Sequence, residues 1–256
     1  MNDNDIPFEV ARQRLAEKRA QVRTAPASQN AQAPEWLHSV EDLHDFFNET
    51  AEVWDAVFAP SDEDTLYEAV AAQITPAQDE KQVLVLGCGT GMELMEIFTR
   101  LPHMRVTGID LAPNMLRELR RKYADRLAQI TLIEGSYLDI PLGAQQYDYV
   151  VATLTAHHLA PETKVVLYQR IRQALKLGGR YIEGDQSTSL AHEQEVVLYW
   201  YYEYIAKLPG GDHAQWNYDV TLSPETQRKL LHQAGFGNIS MPWEKQSEGV
   251  TVFVAW

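Results

Sequence analysis

Val83-Leu84-Val85-Leu86-Gly87-Cys88-Gly89-Thr90-Gly91 is the stretch that decides the fold. Four apolar residues in a row, two of them valine, read as a parallel strand buried on both faces. A turn with glycine at every second position follows, and Met92 to Arg100 carries a helical pattern. Strand, tight loop and helix start in that order bring backbone N–H groups and the positive end of a helix dipole to one place. A polar ligand can approach the chain closely there. The spacing also excludes a class. Dinucleotide-binding loops run G-x-G-x-x-G, and Met92 stands where the third glycine belongs.

Arg105-Val106-Thr107-Gly108-Ile109-Asp110 reads as the next strand. Its terminal acid lies about 20 residues past the loop, the place from which a carboxylate bonds ribose hydroxyls in such folds. An N-cap for the helix that follows is the other role open to Asp110. Leu111-Ala112-Pro113-Asn114-Met115-Leu116 opens that helix. With these motifs the chain resembles the class I S-adenosylmethionine (SAM) dependent methyltransferases, from about Phe46 to the C-terminus. The resemblance implies SAM as cofactor, S-adenosylhomocysteine as product, and methyl transfer to a small-molecule acceptor.

The resemblance also assigns residues. Gly87, Cys88, Gly89, Thr90 and Gly91 form the loop beneath the amino-acid end of the cofactor, and Asp110, Leu111 and Met115 border the ribose. Glu134-Gly135-Ser136-Tyr137-Leu138-Asp139 is similar to the family's adenine segment. There Ser136 stands in place of the usual acid and Tyr137 offers its backbone N–H. Asp139 is an alternative acceptor, or a solvated turn acid. Thr153 and Leu154 end the fourth strand beside the cofactor. One departure stands out: the family commonly carries an acid at the position of Val85.

The organisation along the chain agrees. Strands are expected at Val83–Leu86, Arg105–Asp110, Ile130–Gly135, Tyr147–Thr153 and Gly179–Gly184, with helices at Met92–Arg100, Asn114–Leu127 and Glu162–Leu175 between them. Alternation of this kind implies an α/β fold with a parallel sheet covered on both faces. Ser223 to Ala234 then reads as a helix, and Asn238–Trp243 and Gly249–Trp256 as two strands joined by a short turn, hence antiparallel. The expected architecture is a Rossmann-like, doubly wound, seven-stranded sheet with its last strand antiparallel. Residues 1–34 read as an arm: a helix over Glu9–Arg23, then a linker over Thr24–Pro34 rich in Ala, Gln, Pro and Ser. The arm fits a lid, a contact in a homodimer, or a loosely attached tail. Residues 35–256 form the methyltransferase domain, with a helical cap inserted over 186–222.

Two features bear on the acceptor. Trp54-Asp55 stands where small-molecule methyltransferases often carry Tyr-Asp on a helix that closes over the cofactor. In the cap, Leu190 to Leu208 reads as a helix carrying Tyr199, Trp200, Tyr201, Tyr202 and Tyr204. At about 3.6 residues per turn four consecutive aromatics cannot all face one core. Some must meet a second surface, read here as the acceptor pocket, with a partner interface as the alternative. The expected acceptor contacts are Trp54, Tyr199, Trp200 and Tyr204. Candidate proton acceptors are Asp185 and His158, each after a strand end, with His192 and His213 behind them. No metal is expected, because adjacent His157 and His158 lack the i, i+3 or i+4 spacing of helical ligands.

Composition narrows the class. A net charge of −14 opposes tight binding to a phosphate backbone, and no Asn/Asp-Pro-Pro-Tyr segment follows the fourth strand, so nucleic acid is a disfavoured acceptor. The single cysteine excludes an internal disulfide framework. No apolar run approaches the ~20 residues of a membrane span, and the first residues have no signal-peptide character, so a cytoplasmic enzyme is expected. Two other readings stay open: a carboxy-SAM-type enzyme on the same fold, and a non-catalytic protein that binds SAM or a partner.

Overall fold

A computed structural model describes Gln13, Leu37 and residues 40–58, 65–210 and 216–256. Apart from Gln13 the expected arm lies outside the described residues, and so does His213. Seven strands form one sheet: β1 (Gln82–Leu86), β2 (Arg105–Asp110), β3 (Ile130–Glu134), β4 (Tyr147–Thr153), β5 (Leu175–Gln186), β6 (Ile239–Lys245) and β7 (Val250–Ala255). Their order is β3-β2-β1-β4-β5-β7-β6. The first five strands pair in parallel, and β7 runs antiparallel to both β5 and β6. The expected sheet is therefore the observed one. The chain winds outward from β1 through β2 to β3, then returns to β4 on the other side of β1. The crevice beyond the carboxyl ends of β1 and β4 is the switch point at which such sheets bind ligands.

The period of two along each strand divides the interior. Leu84 and Leu86 of β1 join Val150 and Ala152 of β4 on one face, while Val83 and Val85 join Tyr149 and Val151 on the other. Helices α2 (Leu66–Ala72), α3 (Leu94–Arg100) and α4 (Pro113–Lys122) cover the Val85 face. Helices α5 (Pro161–Ala174) and α7 (Pro224–Gln233) cover the Leu86 face. Pro at the first turn of α4, α5 and α7 costs no hydrogen bond there, because the first N–H groups of a helix have no intrahelical partner. Helix α1 (Leu43–Phe58) packs across α4 above the strand ends.

Several boundaries differ from the sequence expectation. Helix α3 begins at Leu94, two residues late, because the chain is still turning at Met92 and Glu93. Helix α4 ends at Lys122 and tightens into a 3-10 turn over Ala124–Gln129. Strand β5 begins at Leu175, which pairs with Tyr147 across a bulge before the regular register starts at Arg180. In the insertion, Leu190–His192, Glu193–Val197 and Leu198–Glu203 run on as one helix, α6, whose middle segment is a π turn, and Ile205–Lys207 is a separate 3-10 turn. A bridge between Ser187 and Leu222 closes the base of this excursion. No helix among the described residues is long and apolar enough to cross a membrane.

Candidate cofactor and active site

The glycine loop leaves β1 in a conformation only glycine adopts without strain. Gly87, with φ of +59°, also lies so close to Thr155 that a Cβ would sit 2.2 Å from its Oγ1. Gly89 is the opposite case. Its φ is +47° and a Cβ there would meet nothing within 4 Å, so the missing side chain leaves open space over the loop. Asp110 at the end of β2 fixes the loop. Its Oδ2 accepts from the Gly89 N–H at 2.7 Å and its Oδ1 from the Ala112 N–H at 2.9 Å. Burial pushes the Asp110 pKa up to about 6, against those backbone bonds. Each oxygen keeps a second lone-pair direction for a hydroxyl donor.

A cleft enclosing about 860 Å³, part of it open solvent, lies over the loop. Gly87, Cys88, Gly89 and Thr90 line it, as do Asp110, Leu111, Met115, Ser136, Tyr137, Thr153 and Leu154. Of the expected cofactor residues only Gly91 is absent from the lining. It supports the loop from behind, its carbonyl accepting from the Tyr123 hydroxyl at 2.7 Å. The segment after β3 is pinned from α5, where Arg170 donates to the carbonyls of Tyr137, Leu138 and Ile140. Ser136 Oγ accepts from the Leu138 N–H at 3.1 Å, and the Tyr137 hydroxyl reaches Thr155. Asp139 is not in the lining.

Helix α1 roofs the cleft. Phe47 and Trp54 point into it with ring centroids 5.1 Å apart. Its polar side is tied down. Asp55 accepts from the Thr90 hydroxyl at 2.5 Å and pairs with Lys122, while the Asn114 N–H donates to Asn48 Oδ1 at 3.0 Å. Tyr67 of α2, Met92 and Glu93 complete the lining beside the loop.

At the end of β4 the two histidines take different surroundings. They sit in a 3-10 turn, Ala156–His158, so their rings lie 4.1 Å apart, tilted by 50°, instead of diverging. His158 lines the cleft, edge-on to Phe47 at 5.6 Å. Its Nδ1 faces the Tyr218 carbonyl at 3.5 Å and Asp219 Oδ1 at 3.6 Å, which leaves Nε2 on the far side of the ring. His157 is turned to Asp185, with Nδ1 2.5 Å from Oδ1 and its backbone N–H donating to Oδ2 at 2.9 Å. Burial alone would raise the Asp185 pKa, but the His157 ring against it holds the carboxyl below the usual carboxylate range.

The structure thus brings Trp54 and His158 to the cleft and leaves other expected residues outside its lining. Asp185 is absent from the lining, as is His157, to which it is bonded. Tyr199, Trp200 and Tyr204 are absent from the lining, and Trp200 and Tyr204 pack instead against the core on the α5 and α7 face. Neighbouring Glu183 accepts from Tyr168, Tyr181 and Gln227 in a buried network behind the sheet. Sequence reasoning missed Tyr67, Glu93, Asp219 and the reach of Phe47 into the cleft. Glu93 alone had a readable signal, an acid two residues past the last glycine of the loop.

These residues fit SAM. The open space at Gly89 admits a chain against the backbone, Asp110 suits ribose hydroxyls, and the aromatics with two carboxylates suit a sulfonium. Two buried oxygens in the lining, Glu93 Oε1 and Thr153 Oγ1, have no protein hydrogen-bond partner, which a bound polar group can supply. Comparisons with known proteins agree. A family model described as a methyltransferase domain matches residues 83–179, from β1 into β5. A demethylmenaquinone methyltransferase of Geobacillus sp. (strain WCH70) is 30% identical over 177 residues, covering 64% of this chain and 74% of that protein. A malonyl-[acyl-carrier protein] O-methyltransferase of Herminiimonas arsenicoxydans is 27% identical over 127 residues, 50% of this chain and 45% of that one. Among solved structures, a complex titled "DhpI-SAM-HEP complex" shares the fold with a TM-score of 0.63 at 17% identity, over 88% of this chain and 100% of the other.

Proposed function

The chain belongs to the class I S-adenosylmethionine-dependent methyltransferases, and from that premise we propose that it methylates a small molecule. Its ionisable group faces His158 and its apolar body rests on Phe47, Trp54 and Leu159. One observation carries this reading: a single cleft is lined both by the glycine loop with Asp110 and by the aromatic roof with His158. The bound cofactor supplies a methyl group already activated by its sulfonium. What is left to the protein is geometry, exclusion of water and, for an acceptor that must lose a proton, a base. The roof of α1 excludes water. His158 is the base, with Asp219 behind Nδ1 to stabilise the protonated ring. Asp185 acts through His157 by fixing the turn that carries His158, and is a positioning residue. Two relatives named for demethylmenaquinone and malonyl-[acyl-carrier protein] support an organic acceptor over a nucleic acid. The described lining holds two carboxylates and no Arg or Lys, a pattern that favours a cationic sulfonium over a carboxylated cofactor.

Incubating the protein with SAM labelled in its methyl group and fractionated metabolite pools tests the reading. The expected result is label in a low-molecular-weight product, with turnover cut roughly 10²- to 10⁴-fold by His158→Gln. Label confined to nucleic acid or to amino-acid side chains of protein would sink it. So would a carboxylated cofactor found by mass spectrometry of the purified protein.

A further inference from the structure

The acid that this family commonly places in β1 is missing here, because the position holds Val85. That side chain is fully buried in the apolar cluster beneath α2 and α3. A carboxylate has appeared elsewhere on the same face of the sheet. Glu93 precedes α3 at its N-cap position, yet its side chain makes no capping bond to the helix. It is only 4% exposed, lines the cleft beside the glycine loop, and its Oε1 is buried with no hydrogen-bond partner. Leaving a carboxylate oxygen buried and unpaired costs free energy, so a donor in the functional state is expected.

We propose that Glu93 is the residue that binds the α-amino group of the cofactor, taking over from the missing acid of β1. Three observations support the assignment. Asp110 and Glu93 are the two carboxylates of the lining, and Asp110 lies at the β2 end, the ribose side. Glu93 adjoins Met92, whose sulfur accepts from the hydroxyl of Tyr67 at 3.3 Å, and Tyr67 belongs to α2, which packs on β5 and β7. Glu93 therefore lies at the helix end of the glycine loop, with Met92 and Tyr67 beside it in the lining. A primary ammonium also suits a buried carboxylate better than any neutral donor, because it supplies charge as well as N–H groups. Lys122 favours the charged form of Glu93 while Asp110 and Asp55 oppose it. Among the described lining residues two are carboxylates and none is Lys or Arg, so an ammonium meets no competing cation there.

The inference rests on SAM being the cofactor, and the test separates the two claims. Calorimetry compares S-adenosylhomocysteine with 5′-methylthioadenosine, which keeps the adenosine and lacks the amino acid. Wild type should bind both, the former more tightly. Glu93→Gln, of the same shape, should weaken S-adenosylhomocysteine roughly 10- to 100-fold and leave 5′-methylthioadenosine within about twofold. An analogue retaining the amine without the carboxylate should lose affinity to the same extent. Equal loss for all three ligands would mean that Glu93 only shapes the loop, and no loss for any would place the amine elsewhere. Either result overturns the assignment. Wild-type protein that binds none of them would strike the cofactor reading beneath it.

Discussion

Asp110 and Glu93 are two acids whose burial in the cleft raises their pKa values, to about 6 and about 7. In the unfolded chain both titrate near 4. Between those limits the folded protein holds more protons than the unfolded one, so stability falls as pH rises through the window. From pH 5.5 to pH 8 the two groups together should cost the ligand-free protein about 3 kcal/mol, at ~1.4 kcal/mol per pKa unit. Asp185 works in the opposite sense and at lower pH, its lowered pKa giving stability that is lost only in acid. Chemical denaturation at both pH values should show the loss in wild type and a much smaller one in Asp110→Asn/Glu93→Gln. The same slope in both proteins would show that neither carboxyl is strained by burial. Of this pair Asp110 was legible in the sequence, because a strand end about 20 residues past a glycine loop has a fixed place in a parallel sheet. Glu93 was not. Its direction depends on two extra turning residues before α3, and apolar periodicity carries no trace of them.

Helix α6 shows what an element adds to such residues. The aromatic run from Tyr199 to Tyr204 correctly signals that one face cannot absorb every ring, but periodicity does not say where the others go. Tyr201 is buried in the core, with its ring 6.3 Å from that of Tyr218. Tyr202 is exposed and donates to Glu162 on α5 at 2.9 Å. The π turn over Glu193–Val197 shifts the helical phase just before this run, which no count at 3.6 residues per turn anticipates. Glu193 is held within that turn by the Ser223 N–H and the Thr226 hydroxyl at the start of α7. These placements give the aromatics a packing role. Tyr201→Ala should lower unfolding free energy by about 3–5 kcal/mol, the scale of a large truncation in a core. Tyr202→Ala, which removes an exposed contact, should cost under about 1 kcal/mol. Denaturant titration separates them, and similar small losses at both sites would mean that the cap packs loosely.

The whole molecule explains why the cleft is assembled from segments so distant in sequence. Its lining runs from Leu43 on α1 to Leu159 after β4, and includes the turns after β1, β2, β3 and β4. A parallel sheet wound in both directions from its centre brings all these turns to one edge, and that consequence of strand order was readable from the alternation of strands and helices. The docking of α1 was not, since it depends on polar pairs with residues some 35 to 70 positions away, such as Asp55 with Thr90 and Asn48 with Asn114. A ligand that touches every turn must link them energetically. S-adenosylhomocysteine at a hundredfold excess over its Kd should stabilise the fold by about 2.7 kcal/mol, whatever the contacts. Hydrogen exchange then shows where the local effect falls. Protection on binding should concentrate in α1, the glycine loop, residues 136–137 and residues 153–155. The outer strand β6 should change only as far as the global stability requires. Protection confined to residues 190–222 would move the ligand to the cap, and protection spread evenly over the sheet would mean that α1 does not close on the cofactor.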